Sequence, residues 1–448
     1  MHRIDSPRVL DAVHSYHYLL LLQKMESPTT VNLKSRMLCL ASIALIGAAA
    51  IAGCSDSDDD DGRGGGSAGT IRIGALLPMS GALASYGETS KAALEDLVAT
   101  INKDSTKLEV DIQDTKSEPQ TALALLEDMH DDDISIVIGP YSSSEVTAVK
   151  PYSDQNGIIL LSPLSTATSL VVADNIFRFT PDDAAEGAAL AALAYADSIR
   201  TMVTFSRDDP GNLGLQSAFK SAFERLGGRV VQGVTYPPTE SDFKDEVERL
   251  AGVVVNEVMT NSGGARGNVG VYLTAFNEVT SIFPTVADNG GDGLRSVAWY
   301  GSDSVALSKE LVANAKAAQF AAGAGYPNPI LGLRDSDKAA WEPVSNRVSQ
   351  KLSRTPDAFA LAAYDALNVA YQVMTNAGER DLAAKRAELI SITNAATGLT
   401  GPLRLSDAGD RSFQIYDFWA VCSKNNAWTW YRSATYDPAG GARRLGAC

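Results

Sequence analysis

The stretch Ile134-Ser135-Ile136-Val137-Ile138-Gly139-Pro140-Tyr141-Ser142-Ser143-Ser144-Glu145 decides the fold. It reads as a short apolar strand that runs directly into a helix over 144–155, opened by the Ser-x-x-Glu pattern of a capping box at Ser142 and Glu145. Outward from it the same unit repeats. Residues 71–77 and 108–113 form strands, and 86–102 forms a helix with an apolar stripe of Ala92, Ala93, Leu94, Leu97, Val98 and Ile101. A helix over 119–129 leads into the quoted strand, and 158–161 is the strand that follows it. Such βαβαβαβ alternation requires a parallel sheet with helices on both faces.

After Phe177-Arg178-Phe179-Thr180-Pro181 the pattern starts again. Helices are expected over 184–196, 213–226, 243–250 and 279–287, and strands over 201–205, 230–235, 269–274 and 296–300. The chain returns through 322–327 to a long helix over 357–375 and ends in a strand over 413–421. The fold class is therefore α/β, with two doubly wound parallel-sheet lobes. Residues 70–180 and 326–412 make lobe 1, and 181–325 and 413–448 make lobe 2. Several crossings between two similar halves describe a cleft, and open α/β sheets bind ligands at the carboxyl ends of their strands.

The 448 residues carry 38 Lys plus Arg against 54 Asp plus Glu, a net charge of −16 that argues against a nucleic-acid partner. Residues 37–53, MLCLASIALIGAAAIAG, form an apolar run behind Lys34 and Arg36, the pattern of a signal peptide, with an uncleaved anchor as the alternative. Ile51-Ala52-Gly53-Cys54 resembles the bacterial lipobox, which implies lipidation of Cys54 and attachment to the membrane. Met25 or Met37 makes a better start than Met1, so 1–53 is read as a mis-called N-terminal extension plus a lipoprotein signal peptide. Residues 54–69, CSDSDDDDGRGGGSAG, read as an acidic flexible tether. Removing residues 1–53, which carry a net +2, leaves −18 on the remainder.

That removal also leaves His130 as the sole histidine, in an acidic turn where a solvated surface role is expected, and, with Cys54 taken by the lipid, Cys422 and Cys448 as the sole thiols. A histidine-based triad and a Cys/His zinc site are both excluded, so neither catalysis, a metal nor a cofactor is expected. In an oxidising compartment Cys422 and Cys448 should form a disulfide. The glycine run over 263–270 precedes its strand and lacks the strand-to-helix context of a nucleotide loop.

Several motifs resemble the leucine-binding-protein family, the type I periplasmic solute-binding proteins. These are Ile71-Arg72-Ile73-Gly74 with Pro78-Met79-Ser80-Gly81 and Tyr86-Gly87, Val137-Ile138-Gly139-Pro140 with Ser142 to Ser144, and Gly157 to Pro163. Asp242-Phe243, Phe359 with Tyr364-Asp365-Ala366, and Gly401-Pro402-Leu403-Arg404-Leu405 ahead of Gly409-Asp410-Arg411 complete the set, which spans about 70–435. The resemblance implies two lobes joined by a multi-strand hinge. It also implies a lipid-anchored protein of the periplasm or cell envelope that captures an amino acid or similar polar solute by hinge closure and delivers it to an ABC permease in the inner membrane. A sensor of the same fold coupled to a signalling partner is the alternative.

By position the family places the ligand's α-carboxylate at Ser143, the backbone of Leu164, and Thr166. Its ammonium falls at Asp303, and its side chain against Tyr86, Phe276 and Phe359. Each has a second reading. Ser142–Glu145 can be a plain N-cap, worth about 1 kcal/mol, or an anion site at a helix N-terminus, and both can hold together. Asp303 can instead cap a helix over 305–316, and the three aromatics can be core. One match fails: the family's Asp-x-Tyr-Gly-x-Gly is Asp208-Asp209-Pro210-Gly211-Asn212-Leu213-Gly214 here, without the tyrosine.

Overall fold

The computed structural model describes residues 70–103, 107–260, 266–378 and 380–448. The expected leader, the tether and Cys54 lie outside the described residues. Lobe 1 is built on β1 (Ile71–Leu77), α1 (Ala84–Ile101), β2 (Leu108–Asp114), α2 (Pro119–Asp131), β3 (Ile136–Ile138), α3 (Ser143–Asn156), β4 (Ile159–Ser162) and β5 (Ile176–Arg178). All five strands are parallel, in the order β2-β1-β3-β4-β5. Successive side chains along a strand point to opposite faces, and both faces here are apolar. Ile73, Ala75, Leu77, Ile136, Ile138, Ile159 and Leu161 join one core, while Leu76, Val137 and Leu160 join another with Ala122, Leu126, Val146 and Val149.

Lobe 2 repeats the plan with α4 (Asp183–Ala196), β6 (Thr201–Arg207), α5 (Pro210–Arg225), β7 (Arg229–Tyr236), α6 (Lys244–Thr260), β8 (Val269–Thr274), α7 (Val279–Asn289), α8 (Gly291–Arg295) and β9 (Ala298–Tyr300). Its parallel order β7-β6-β8-β9 matches β2-β1-β3-β4 position for position. In each sheet the order reverses beside the first strand, at β1/β3 and at β6/β8, which is where such sheets open a crevice.

The 305–316 stretch is not one helix. A 3-10 turn at Asp303–Val305 ends before Leu307, whose φ of 64° is left-handed. Ser308 then caps α9 (Lys309–Ala313) and Asn314 caps α10 (Ala315–Ala324), each side chain accepting a backbone N–H of the new helix. Similarly, α5 begins at Pro210 instead of 213, because Asp209 accepts the Asn212 N–H at 3.0 Å and proline suits the first helical position.

The remaining chain contributes β10 (Asn328–Leu331), α11 (Lys338–Leu352), α12 (Ala358–Ala377), α13 (Leu382–Ala395), the small hairpin β11 (Thr397–Gly398) and β12 (Gly401–Pro402), then β13 (Tyr416–Lys424), β14 (Ala427–Asp437) and β15 (Gly441–Arg444). Helix α12 packs its apolar length on the lobe 1 core. Strands β10-β13-β14-β15 form an antiparallel sheet that the strand expected over 413–421 only began to describe. Tyr416, Phe418, Val421 and Ala434 of this sheet join the lobe 2 cores. Cys422 and Cys448 are disulfide-bonded, with Cα atoms 6.4 Å apart.

Where the chain leaves lobe 1, Arg178 is almost fully buried and its Nε pairs with the Asp410 carboxylate, also largely buried. Its Nη1 donates to the Ala167 carbonyl at 2.8 Å, so the guanidinium also fixes the turn after β4. Removing one partner of a buried pair strands the other charge, which costs about 3–5 kcal/mol. Asp410→Ala should therefore lower unfolding stability by about 3 kcal/mol or more in urea titrations; a loss below about 1 kcal/mol would show that the pair is not structural.

Candidate ligand site between the lobes

The carboxyl ends of β3 and β4 in lobe 1 meet the starts of α4 and α5 in lobe 2. At the end of β3, Ser142 caps α3: its Oγ accepts the Glu145 N–H at 3.1 Å, while the Glu145 carboxylate accepts the Ser142 N–H at 2.8 Å. The first-turn amides of a helix have no intrahelical acceptor. The capping box takes that of Glu145, and the Ser142 carbonyl takes that of Val146 at 3.0 Å. The Ser143 and Ser144 N–H groups stand at the positive end of the helix dipole.

Beyond β4, Ser162 Oγ donates to the Pro140 carbonyl at 2.6 Å and accepts the Ser165 N–H at 3.2 Å, which curls the turn over 162–167 against the start of α3. Ser143 Oγ lies 3.1 Å from Ser165 Oγ and accepts the Ala167 N–H at 3.2 Å. Ser143, Leu164 and Thr166 are thus brought to one place, all buried. Ser165, the hydroxyl that joins them, lies between Leu164 and Thr166 but was not among the residues the sequence reading assigned to the ligand.

Lobe 2 closes on this clamp with the N-termini of α4 and α5. The Asp183 N–H donates to the Thr166 carbonyl at 2.8 Å. Gly211 stands beside Ser143, where a Cβ would sit 3.4 Å from its Oγ, and Gly214 faces Asp183 so closely that a Cβ would lie 2.3 Å from the carboxylate. The sequence's missing tyrosine therefore coincides with a helix start narrow enough to reach lobe 1.

Asp303 follows β9 and is buried at the same junction. Its N–H donates to Glu186 Oε1 at 3.2 Å, and Ser304 Oγ donates to its Oδ1 at 2.9 Å. Tyr86 Oη reaches across from lobe 1 to the carbonyls of Asp303 and Ala306, at 3.0 and 2.8 Å. Its ring meets Phe359 edge-on at 5.6 Å. Tyr86 and Phe359 are brought together as an aromatic pair within the lobe 1 core. Phe276, after β8, joins that core from lobe 2, with the Arg207 guanidinium 4.9 Å above its ring. A separate cavity of about 270 Å³ lies behind the junction, lined in part by Leu307, Ile330, Trp341, Asp417 and Trp419, and touches none of these residues.

Two functional candidates escaped the sequence reading: Asp183 and Glu186, one turn apart in the first turn of α4 and almost fully buried. Their signal was an acidic i, i+3 pair at a helix start, which ordinarily means only a favourable helix dipole. Burial pushes the Asp183 carboxyl up to about 8, and the nearby Asp303 charge adds to the shift; the Thr166 hydroxyl and Arg178 offset part of it. Burial first, then Asp303 and Asp183, raises Glu186 well above the ordinary range, and burial also raises Asp303. Among the described residues none of the three is ion-paired; the Thr166 hydroxyl acts on Asp183 as a hydrogen-bond donor, and Glu186 and Asp303 share a side-chain hydrogen bond.

A carboxyl raised on folding contributes stability that is fully present below its unfolded pKa and is lost as pH rises through its folded value. For Asp183 that window runs from about 4 to about 8. Thermal melts should show Asp183→Asn roughly 2–4 °C more stable than the parent at pH 8.5 and no more stable at pH 5; parallel pH curves would refute the buried carboxyl's cost.

A family model described as periplasmic binding protein matches residues 70–419. Uncharacterized protein MJ1266 of Methanocaldococcus jannaschii is 26% identical over 410 residues, covering 84% of this chain and 93% of the relative. Leu/Ile/Val-binding protein homolog 3 of Brucella melitensis is 24% identical over 355 residues, covering 78% and 90%. Among solved structures, the leucine binding protein LivK of Thermotoga maritima superposes with a TM-score of 0.67 at 20% identity, covering 82% of this chain and 99% of that one, a likeness of fold.

Proposed function

The chain belongs to the periplasmic binding protein family, as a leucine-binding-protein-like member with the two-lobed type I fold, and from that premise we propose that it captures an amino acid or similar small polar solute between its lobes. The family is one of solute-binding proteins, not enzymes. One observation carries the reading: a donor-rich helix start in lobe 1, at Ser143 and Ser144, shares a buried junction with the Asp303 carboxylate of lobe 2. That pairing complements a zwitterion, whose carboxylate suits the amides and whose ammonium suits the acid.

In this reading Ser143, the Leu164 backbone and Thr166 clamp the carboxylate, Asp303 accepts the ammonium, and Tyr86, Phe276 and Phe359 bound the side chain. A ligand touching both lobes favours the closed arrangement that the Tyr86 hydrogen bonds already hold. We assign 70–180 with 326–412 to lobe 1 and 181–325 with 413–448 to lobe 2; most apolar residues of each pack in its own cores, while Phe276 and Ala306 join the lobe 1 core and Tyr326 a lobe 2 core. The closed protein would be presented to an ABC permease. Anchoring would come from a lipid on Cys54 through the 54–69 tether; among the described residues no helix is long and apolar enough to cross a membrane.

Screening the 70–448 domain by thermal shift against amino acids should reveal a ligand, since a solute at a hundred times its Kd stabilises the folded state by about 2.7 kcal/mol. Calorimetry should then show Asp303→Ala weakening that ligand at least about tenfold, as expected for a buried charge pair losing one partner. Equal affinity for the variant would remove Asp303 from the ligand shell.

A further inference from the structure

The amino-acid reading needs one carboxylate for one ammonium, yet three buried carboxyls converge at the junction. Asp183 and Glu186 lie one turn apart on α4, which places their Cβ atoms about 5–6 Å apart on one face. Glu186 reaches the Asp303 backbone at 3.2 Å, and Asp303 in turn faces Asp183. Tyr272, on β8, is fully buried, and its hydroxyl has no hydrogen-bond partner; the charges acting on it are those of Glu186, Asp303 and Asp183. Ser302 Oγ is likewise buried and unpartnered beside Asp303. The carboxyls supply acceptor oxygens, the two hydroxyls can donate or accept, and an ammonium brings three donors and no acceptor.

The other charged groups around the cluster do not balance it. Arg178 pairs with Asp410 and the Ala167 carbonyl, and although its buried Nη2 has no partner and its charge offsets part of the Asp183 shift, one cation faces three acids. Asp182 adds a fourth acid next in sequence, and Tyr416 contributes only a phenol from β13. Among the described residues no group of three or more His, Cys, Asp or Glu is arranged to hold a metal ion. An organic cation would complement such a cluster.

We propose that the solute carries two protonated nitrogens, as a short-chain diamino acid does, with Asp303 meeting one and Asp183 with Glu186 meeting the other. The proposal rests on the amino-acid reading and names its ligand class. Buried carboxyls without a cation hold protons, and burial with the nearby Asp303 raises Glu186 well above the ordinary carboxylate range. A dication replaces those protons, so binding releases them to solvent and affinity falls as pH is lowered.

The test is calorimetry on the 70–448 domain with 2,4-diaminobutyrate, ornithine, 2-aminobutyrate, norvaline and 1,4-diaminobutane, at pH 7.5 in two buffers of different ionisation enthalpy. The diamino acids should bind at least about tenfold tighter than 2-aminobutyrate and norvaline, with a heat that differs between buffers. Glu186→Gln, which keeps the side chain's shape, should shrink that preference at least about fivefold, and Asp183→Asn should do the same; melting curves check that both variants are folded. Equal or tighter binding of the monoamino acids, or an unchanged preference in both folded variants, overturns the dication while leaving the amino-acid reading intact. Binding of 1,4-diaminobutane alone would uphold the dication and overturn the amino-acid reading. Binding of none of the five overturns both.

Discussion

One buried guanidinium holds the architecture in register. Arg178 ends β5 at the point where the chain leaves lobe 1, and its backbone pairs with Gly409 and Arg411 while its side chain grips Asp410 and the Ala167 carbonyl. The last strand of the lobe, the returning segment near 410 and the ligand-clamp turn are therefore fixed by one residue. A buried charge is tolerated only with partners. Its placement obliges the 406–411 loop to return to the same spot on every folding event, and the clamp inherits its geometry from that requirement.

Five residues later the same economy is abandoned. Asp183, Glu186 and Asp303 are buried without counter-ions, so the junction carries an electrostatic cost that the rest of the lobe avoids. Such a local violation of otherwise consistent patterning is characteristic of a functional site. The contrast with Arg178 is informative because Asp183 and Glu186 sit on the same stretch of chain: Arg178 has a counter-ion in Asp410, whereas the two acids have none among the described residues.

Much of this was legible beforehand. The alternation of short apolar runs with amphipathic helices specified two parallel sheets, because a strand buried on both faces, such as 159–162, has no solvent side to make polar. Ser142–Glu145 also announced its own geometry, since a capping box is a local interaction. The antiparallel sheet of β10, β13, β14 and β15 was not legible, because its strands mix half-buried aromatic and charged residues and pair across long separations. The break at Leu307 escaped for a similar reason: left-handed backbone at a leucine is imposed by tertiary contact, whereas propensity favours glycine there. Asp183 and Glu186 were hidden because an acid in a first helical turn is ordinary until tertiary packing buries it.

The Tyr86 bridge has a consequence for how such a protein can change over time. Its acceptors are the main-chain carbonyls of Asp303 and Ala306, which every residue type provides. Side chains on that loop are thus free to vary, and ligand preference with them, without loosening the grip between the lobes, so long as the loop keeps its length and path. Recognition and closure are separable inheritances here: substitutions on the loop can retune the first, whereas the second is disturbed by an insertion or deletion in the loop or by loss of the Tyr86 hydroxyl.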